Sequence, residues 1–365
     1  MKKLILLFSL VLIMANRSAA GVAMYSGLIH EAELLICMEK PGLALERFKR
    51  AFSLETPLGK DLLNALICAY QAGDTVAFAT MATALLKNGA FSDGCDFYRF
   101  FDKIDGPENK ESYKQIWKRL VQVTPVHIDL SYRQAVKQLV QADQDVRHYF
   151  MDKQTGNYNA VGRDSLNTFD SLNTLRLKRL FETRGFPTEE KIGYDYSFPG
   201  NPAIYEIIIR HDRSWTNRKV LDSFFYQATR EGKLSPTHYG YWKDQSYWAF
   251  DDSASSYQQT PFSHYGTDAL VVINDTLYIH KYNGTEKDRI NAARKEIYAD
   301  ALDEMAMKAN YQFTHKYFRI IDGTYGVWDG MPDEETRKIR QEAYTTTDLK
   351  ALRYQLAKKY GLKHD

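Results

Sequence analysis

Two stretches decide the fold: Leu28 to Phe52, LIHEAELLICMEKPGLALERFKRAF, and Leu62 to Lys87, LLNALICAYQAGDTVAFATMATALLK. In both, apolar residues return at steps of three and four, the period of one face of a helix. Leu28, Ala32, Leu35 and Ile36 make the first such face, and Pro41 and Gly42 interrupt it. Proline is tolerated in a first helical turn, so a second helix is predicted over about 42–54, around Leu45, Phe48 and Phe52. The next stretch predicts helices over about 58–71 and 74–87, with Gly73 and Asp74 as the turn between them and Gly89 after the second. Each stretch therefore reads as a pair of helices.

The pairs repeat at 33 or 34 residues. Leu28 matches Leu62 and Ile36 matches Tyr70 at the longer period; Ala44, Phe48 and Ala51 match Ala77, Met81 and Ala84 at the shorter one. This resembles the tetratricopeptide repeat, whose second helix carries Ala-x3-Phe and then a proline. Ala44, Phe48 and Pro57 supply those elements in the first unit; the second has Met81 in place of the aromatic and no proline. The resemblance implies stacked helical hairpins with a third, atypical pair over Cys95 to Ile104 and Glu111 to Val123. Such a stack either offers a concave protein-binding surface or serves as a spacer.

Ahead of the repeats, Met1-Lys2-Lys3 is basic, Leu4 to Ala15 is apolar, and Ser18-Ala19-Ala20 is small. That is the form of a secretory signal peptide, too short for a bilayer span of about 20 residues. Cleavage after Ala20 and a periplasmic or secreted location are expected, with an uncleaved anchor as the alternative. The organisation expected is a signal peptide over 1–20, helical repeats over 21–124 and a mostly helical domain over 125–365. No later segment reads as transmembrane. Taking Lys2, Lys3 and Arg17 from the 48 basic residues leaves 45 against 46 acidic ones, which gives no case for a nucleic-acid partner. Cys37, Cys68 and Cys95 are odd in number, so they cannot all pair internally. Buried thiols and one disulfide both remain open.

Past Pro125, helices are predicted over 128–149, from Asp164 or Ser165 to Arg184, from Ala203 to His211, from Asn217 to Arg230, and from Pro236 through Trp248. ALVVI-ND-TLYIHKY, around Asn274-Asp275, reads as a β-hairpin. Glu286 to Lys308 reads as one amphipathic helix, and Tyr317 to Ile321 with Tyr325 to Trp328 as a second small hairpin about Asp322-Gly323. Two charged helices end the chain. The fold class expected is mainly α, with one or two β-hairpins.

Within residues 130–268 the order Asp143-Gln144, Arg147, then Asp170, Asn173 and Leu177, then Gly185-Phe186-Pro187, Gly193, His211, Asp244 and Tyr265-Gly266-Thr267 resembles a helical bacterial family of unknown function, DUF6624. The chain departs from that pattern at Gln245, where a basic residue is expected, and at Asp268, where Gln is expected. The resemblance supplies no reaction, but it singles out polar residues that chemistry would also question. Should Asp143, Arg147, His211 and Asp244 converge, an imidazole and paired carboxylates could do acid–base work. Arg147 could then clamp an anionic group with its planar fork. Gln144, Asp170, Asn173, Tyr241, Trp242 and Tyr265 are the candidate ligand contacts.

Structural readings compete. Asp143 and Arg147, four apart on a helix, suit a surface ion pair; Tyr241 and Trp242 suit a core. His211 and Asp212 are adjacent and point apart, so they form no ready dyad. Histidines 148, 211, 238, 264 and 280 lack metal-ligand spacing, and no cofactor fingerprint is present. The functions in contention are an exported module that binds a protein or peptide partner, an envelope hydrolase, and a structural spacer.

Overall fold

The computed structural model describes residues 2–89, 110–150, 160–194, 203–212, 215–248, 264–315, 317–321, 326–327 and 333–361. Helix α1 (Lys2–Cys37) is followed by α2 (Pro41–Phe52), α3 (Gly59–Gln71), α4 (Thr75–Lys87) and α5 (Lys110–Val123). Each packs on the one before it. The residues matched by the repeat do equivalent work: Leu28 and Leu62, Ile36 and Tyr70, Ala44 and Ala77, Phe48 and Met81 are all buried. Alanine at the paired positions lets the helices approach closely. Pro41 opens α2, as predicted, and the Asp74 carboxylate caps α4 by accepting from Ala77 N at 2.9 Å. Tyr113 of α5 closes the stack, its ring edge-on to Tyr70 at 5.0 Å and to Phe78 at 4.9 Å. Cys37 and Cys68 are buried free thiols, pushed up by burial. The predicted helix over Cys95 to Ile104, and Cys95 itself, lie outside the described residues.

A second apolar core is built from α6 (Leu130–Phe150), α7 (Ala160–Arg184), the short α8 (Glu189–Ile192), α9 (Glu206–His211), α10 (Trp215–Arg230) and α11 (Pro236–Trp248). Its centre is aromatic: Phe181, Tyr205 and Phe225 are buried together, and Trp242 stacks on Phe225 at 4.7 Å. Helix α7 starts at Ala160, so part of the predicted loop before Asp164 is helical. Gly185 ends it with φ +77°, a left-handed stop that glycine adopts without strain.

The chain then returns to the first core. Strands β1 (Leu270–Ile273) and β2 (Thr276–Ile279) pair antiparallel, as the sequence predicted. Asn274 and Asp275 both have positive φ, the geometry of a two-residue turn whose twist matches the strands. The second predicted hairpin does not form. Gly326–Val327 (β3) instead pairs in parallel with β1, and residues 317–321 are not a strand. Nor is Glu286 to Lys308 one helix. It divides into α12 (Gly284–Glu296) and α13 (Leu302–Thr314), with Tyr298 at φ +62° between them. The break is held from both sides. Arg294, 1% exposed, donates Nε to the Asp300 carbonyl, and the Arg230 guanidinium sits 4.5 Å over the Tyr298 ring. The chain closes with α14 (Asp333–Glu342) and α15 (Thr346–Lys359), the latter capped by Thr345 with Asp348.

The returning segment shares the first apolar core with the helical stack, and buried ion pairs cross the same junction. Lys308 of α13, 0% exposed, places Nζ 2.7 Å from Glu33 of α1 and against Asp300. Glu33 also takes Lys60 of α3 at 2.7 Å. Asn64 of α3 pairs with the backbone of Arg319 at 2.8 and 2.9 Å. Breaking one partner of a buried pair strands the other charge. Lys308→Met is therefore expected to cost about 3–5 kcal/mol in urea unfolding. The same network sets an acid limit. Charges around Asp300 hold its carboxyl below the ordinary range against burial, which raises it. A depressed carboxyl contributes stability above its unfolded pKa and loses it as pH falls, so Lys308→Met should also flatten the acid side of the stability curve.

Candidate acid–base site

Three helices bring the site together: α6 supplies Asp143, Gln144 and Arg147; α7 supplies Asp170 and Asn173; α9 ends on His211. Residues 143 and 147 share one face by the helical period, as do 170 and 173. That face packs against α9, so residues distant in sequence meet. His211 Nδ1 lies 2.7 Å from Asp143 Oδ2. Arg147 Nε lies 2.7 Å from the same ring nitrogen, and its Nη2 is 2.5 Å from Asp170 Oδ1. Gln144 Nε2 donates to Asp143 Oδ2 at 2.7 Å. The surface-pair reading of Asp143 and Arg147 is corrected: their side chains are 0% and 14% exposed. His211 is the most open of the four, at 27%.

The ring nitrogen sits between a group that only donates and one that only accepts. If Nδ1 carries the proton, it donates to Asp143; if not, it accepts from Arg147. The first arrangement is the better one. Arg147 Nε can turn to Asp143 Oδ2, already 3.4 Å away, whereas the second leaves a lone pair facing a carboxylate with no relief. With Nδ1 protonated, Nε2 is a free base, and it makes no hydrogen bond to a described residue.

The two carboxyls are driven apart. Burial raises Asp143, but the His211 hydrogen bond, with Arg147 and Gln144, outweighs it and holds the group below its usual range. Burial also raises Asp170, and there Arg147 only partly compensates, so the group stays above its usual range. Arg147 is itself raised: the two carboxylates overcome its desolvation. Its Nε and Nη2 thus face His211, Asp143 and Asp170 inside the protein. Asn173 is 0% exposed, with no partner for Nδ2 among the described residues and Oδ1 3.4 Å from Arg176.

Asp244 does different work. Its oxygens accept from the backbone N–H groups of His264, Tyr265 and Thr267 at 2.9 Å each, and from the Thr267 hydroxyl at 2.8 Å. It pins the turn containing Gly266, where φ is +68° and a Cβ would meet Leu302 at 2.7 Å. Asp244 is a structural carboxylate here, not a member of the His211 cluster. Tyr265 and Trp242 are buried in the second core, which corrects their assignment as ligand contacts, and Tyr241 is half-buried with Arg210 5.7 Å over its ring. Sequence reasoning missed Glu206, 3% exposed, which binds Arg210 at 2.8 Å and faces His238 at 3.7 Å. The Glu-x3-Arg spacing on a short helix was its one visible signal.

Among the described residues no group of His, Cys, Asp and Glu is arranged to hold a metal ion, and no helix is long and apolar enough to cross a membrane. At neutral pH, Asp143→Asn should lower stability by about 1–3 kcal/mol, because it removes a charged acceptor shared by three donors. Asp170→Asn should leave it within about 0.5 kcal/mol of wild type or raise it, since a carboxyl raised by folding destabilises the fold once ionised. Urea titrations of the two variants check the contrast. In comparisons with known proteins, the chain matches no family model, no curated protein and no solved structure.

Proposed function

We propose that Asp143, Arg147, Asp170 and His211 form an acid–base site, and that the protein is a hydrolase in which His211 is the proton carrier. The observation that carries this reading is the 2.7 Å contact between Asp143 Oδ2 and His211 Nδ1. A carboxylate at Nδ1 fixes the ring and directs basicity to Nε2, the arrangement that activates a water or hydroxyl in many unrelated hydrolases. In the reaction, Nε2 takes a proton from the attacking water as its oxygen bonds to the substrate, and returns it to the leaving group. Asp143 stabilises the imidazolium formed between those steps. Arg147 keeps Asp143 ionised, and Asp170 holds Arg147 in place. Because Arg147 is committed to these partners, the substrate is an uncharged ester, amide or glycoside rather than a phosphate.

Export is part of the proposal. Helix α1 buries Val22, Tyr25 and Ile29, so a chain starting at Gly21 keeps these packing contacts.

Turnover separates this reading from a purely structural one. His211→Ala removes one of the three donors to Asp143 and leaves Arg147 and Gln144 in place, so it should lower the unfolding free energy by about 1 kcal/mol. It should also abolish turnover in a panel of neutral chromogenic esters, anilides and glycosides. A loss of about 2 kcal/mol or more, with no panel member turned over by wild type, contradicts the proposal.

A further inference from the structure

His30 stands where the returning segment meets the helical stack. It lies on α1, and its side chain is 20% exposed. Its Nδ1 is 3.4 Å from Asp300 Oδ1, the same oxygen that Lys308 Nζ meets. Two nitrogens, one from α1 and one from α13, therefore converge on one carboxylate oxygen. Lys308 is held charged there by Asp300 and Glu33 against burial. His30 brings a charge only when its ring is protonated.

Charged groups surround the ring from every side. Glu33 comes from its own helix, Lys60 and Asp61 from α3, Asp300 from the break before α13, and Glu304 and Lys308 from α13 itself. Arg294 of α12 stands behind Asp300. The start of α11 contributes Ser235, Pro236 and Thr237, which carry no charge. Between that start and α1 runs a narrow cleft with room for a water molecule or two, and His30 lines it. Solvent protons thus have a path to the ring.

The ring is neutral in the closed junction. Burial lowers its proton affinity, Lys308 lowers it further, and the carboxylates of Asp300, Glu33 and Glu304 do not make up the loss. A histidine that binds its proton more weakly folded than unfolded contributes full stability above its unfolded pKa, about 6.5, and loses it as pH falls below that. Charges around Asp300 and Glu304 hold both carboxyls below the ordinary range against burial. Their loss belongs to stronger acid, so the two windows are separate.

We propose that His30 is a proton-operated release: a proton on its ring sets a second cation beside Lys308 at the Asp300 oxygen, and α13 separates from α1. The release is independent of the His211 reading.

Hydrogen exchange of the full chain at pH 7.5 and 5.5, read by mass spectrometry and corrected for intrinsic rates, tests it. Protection of the α13 amides should fall at least about fivefold at the lower pH. In His30→Gln, which stays polar and cannot titrate, the fall should be less than about twofold. Burial also lowers the proton affinity of His264, so His264→Gln is the control and should keep the wild-type fall in α13. Should His30→Gln fail to fold, an NMR titration of the wild-type ring should give a midpoint below that of an ordinary histidine. A midpoint at or above the ordinary value would overturn the proposal. So would an unchanged α13 in wild type, an equal fall in His30→Gln, or a fall shared equally by α6 and α7.

Discussion

Lys308 lies completely buried between Glu33 and Asp300, and the shape of the molecule follows from satisfying it. An ammonium out of water is tolerated only where carboxylates meet it in good geometry. Those carboxylates come from opposite ends of the chain: Glu33 from the first helical hairpin, Asp300 from the break between α12 and α13. The constraint therefore joins the C-terminal segment to the N-terminal stack, with the second core between them in sequence. It also explains the broken helix. An uninterrupted helix from Glu286 to Lys308 would not present the Asp300 carbonyl to Arg294 and its carboxylate to Lys308 together.

The same economy of charge organises the candidate site. Asp143 and Asp170 are both buried, and one guanidinium serves both. Because Arg147 cannot compensate each carboxylate fully, their proton affinities separate, and the imidazole sits beside the one with the lower affinity. A structural ion pair needs no such asymmetry, and it needs no imidazole whose second nitrogen bonds to none of the described residues. The Asp244 carboxylate makes the contrast clear, since it accepts from three backbone N–H groups and the Thr267 hydroxyl and so closes a turn.

Much of this was legible in the sequence where the signal is local. Helical period, Pro41 and Pro236 at helix starts, and Gly73-Asp74 and Asn274-Asp275 as turns all depend on neighbours within a few residues. The polar set around Asp143 and His211 was legible as a list, through residue order, though not as a geometry. What failed was non-local. Strand β3 pairs with β1 rather than with the segment just before it, and no local pattern encodes that choice. Tyr298 takes a left-handed conformation between two contacts remote from its own neighbours, Arg230 over its ring and Arg294 on the Asp300 carbonyl. Asp244 looked like a site residue because a carboxylate that caps backbone amides and one that moves protons are the same letter.

Whether the site holds a base depends on where the neutral His211 ring carries its proton. Long-range 15N–1H correlation spectra of the ring report this directly. With Asp143 in place, the proton should sit on Nδ1; in Asp143→Ala, where Arg147 remains beside that nitrogen, it should move to Nε2. A proton on Nε2 in both proteins would mean that His211 is held as an acceptor for Arg147, and that the site has no base.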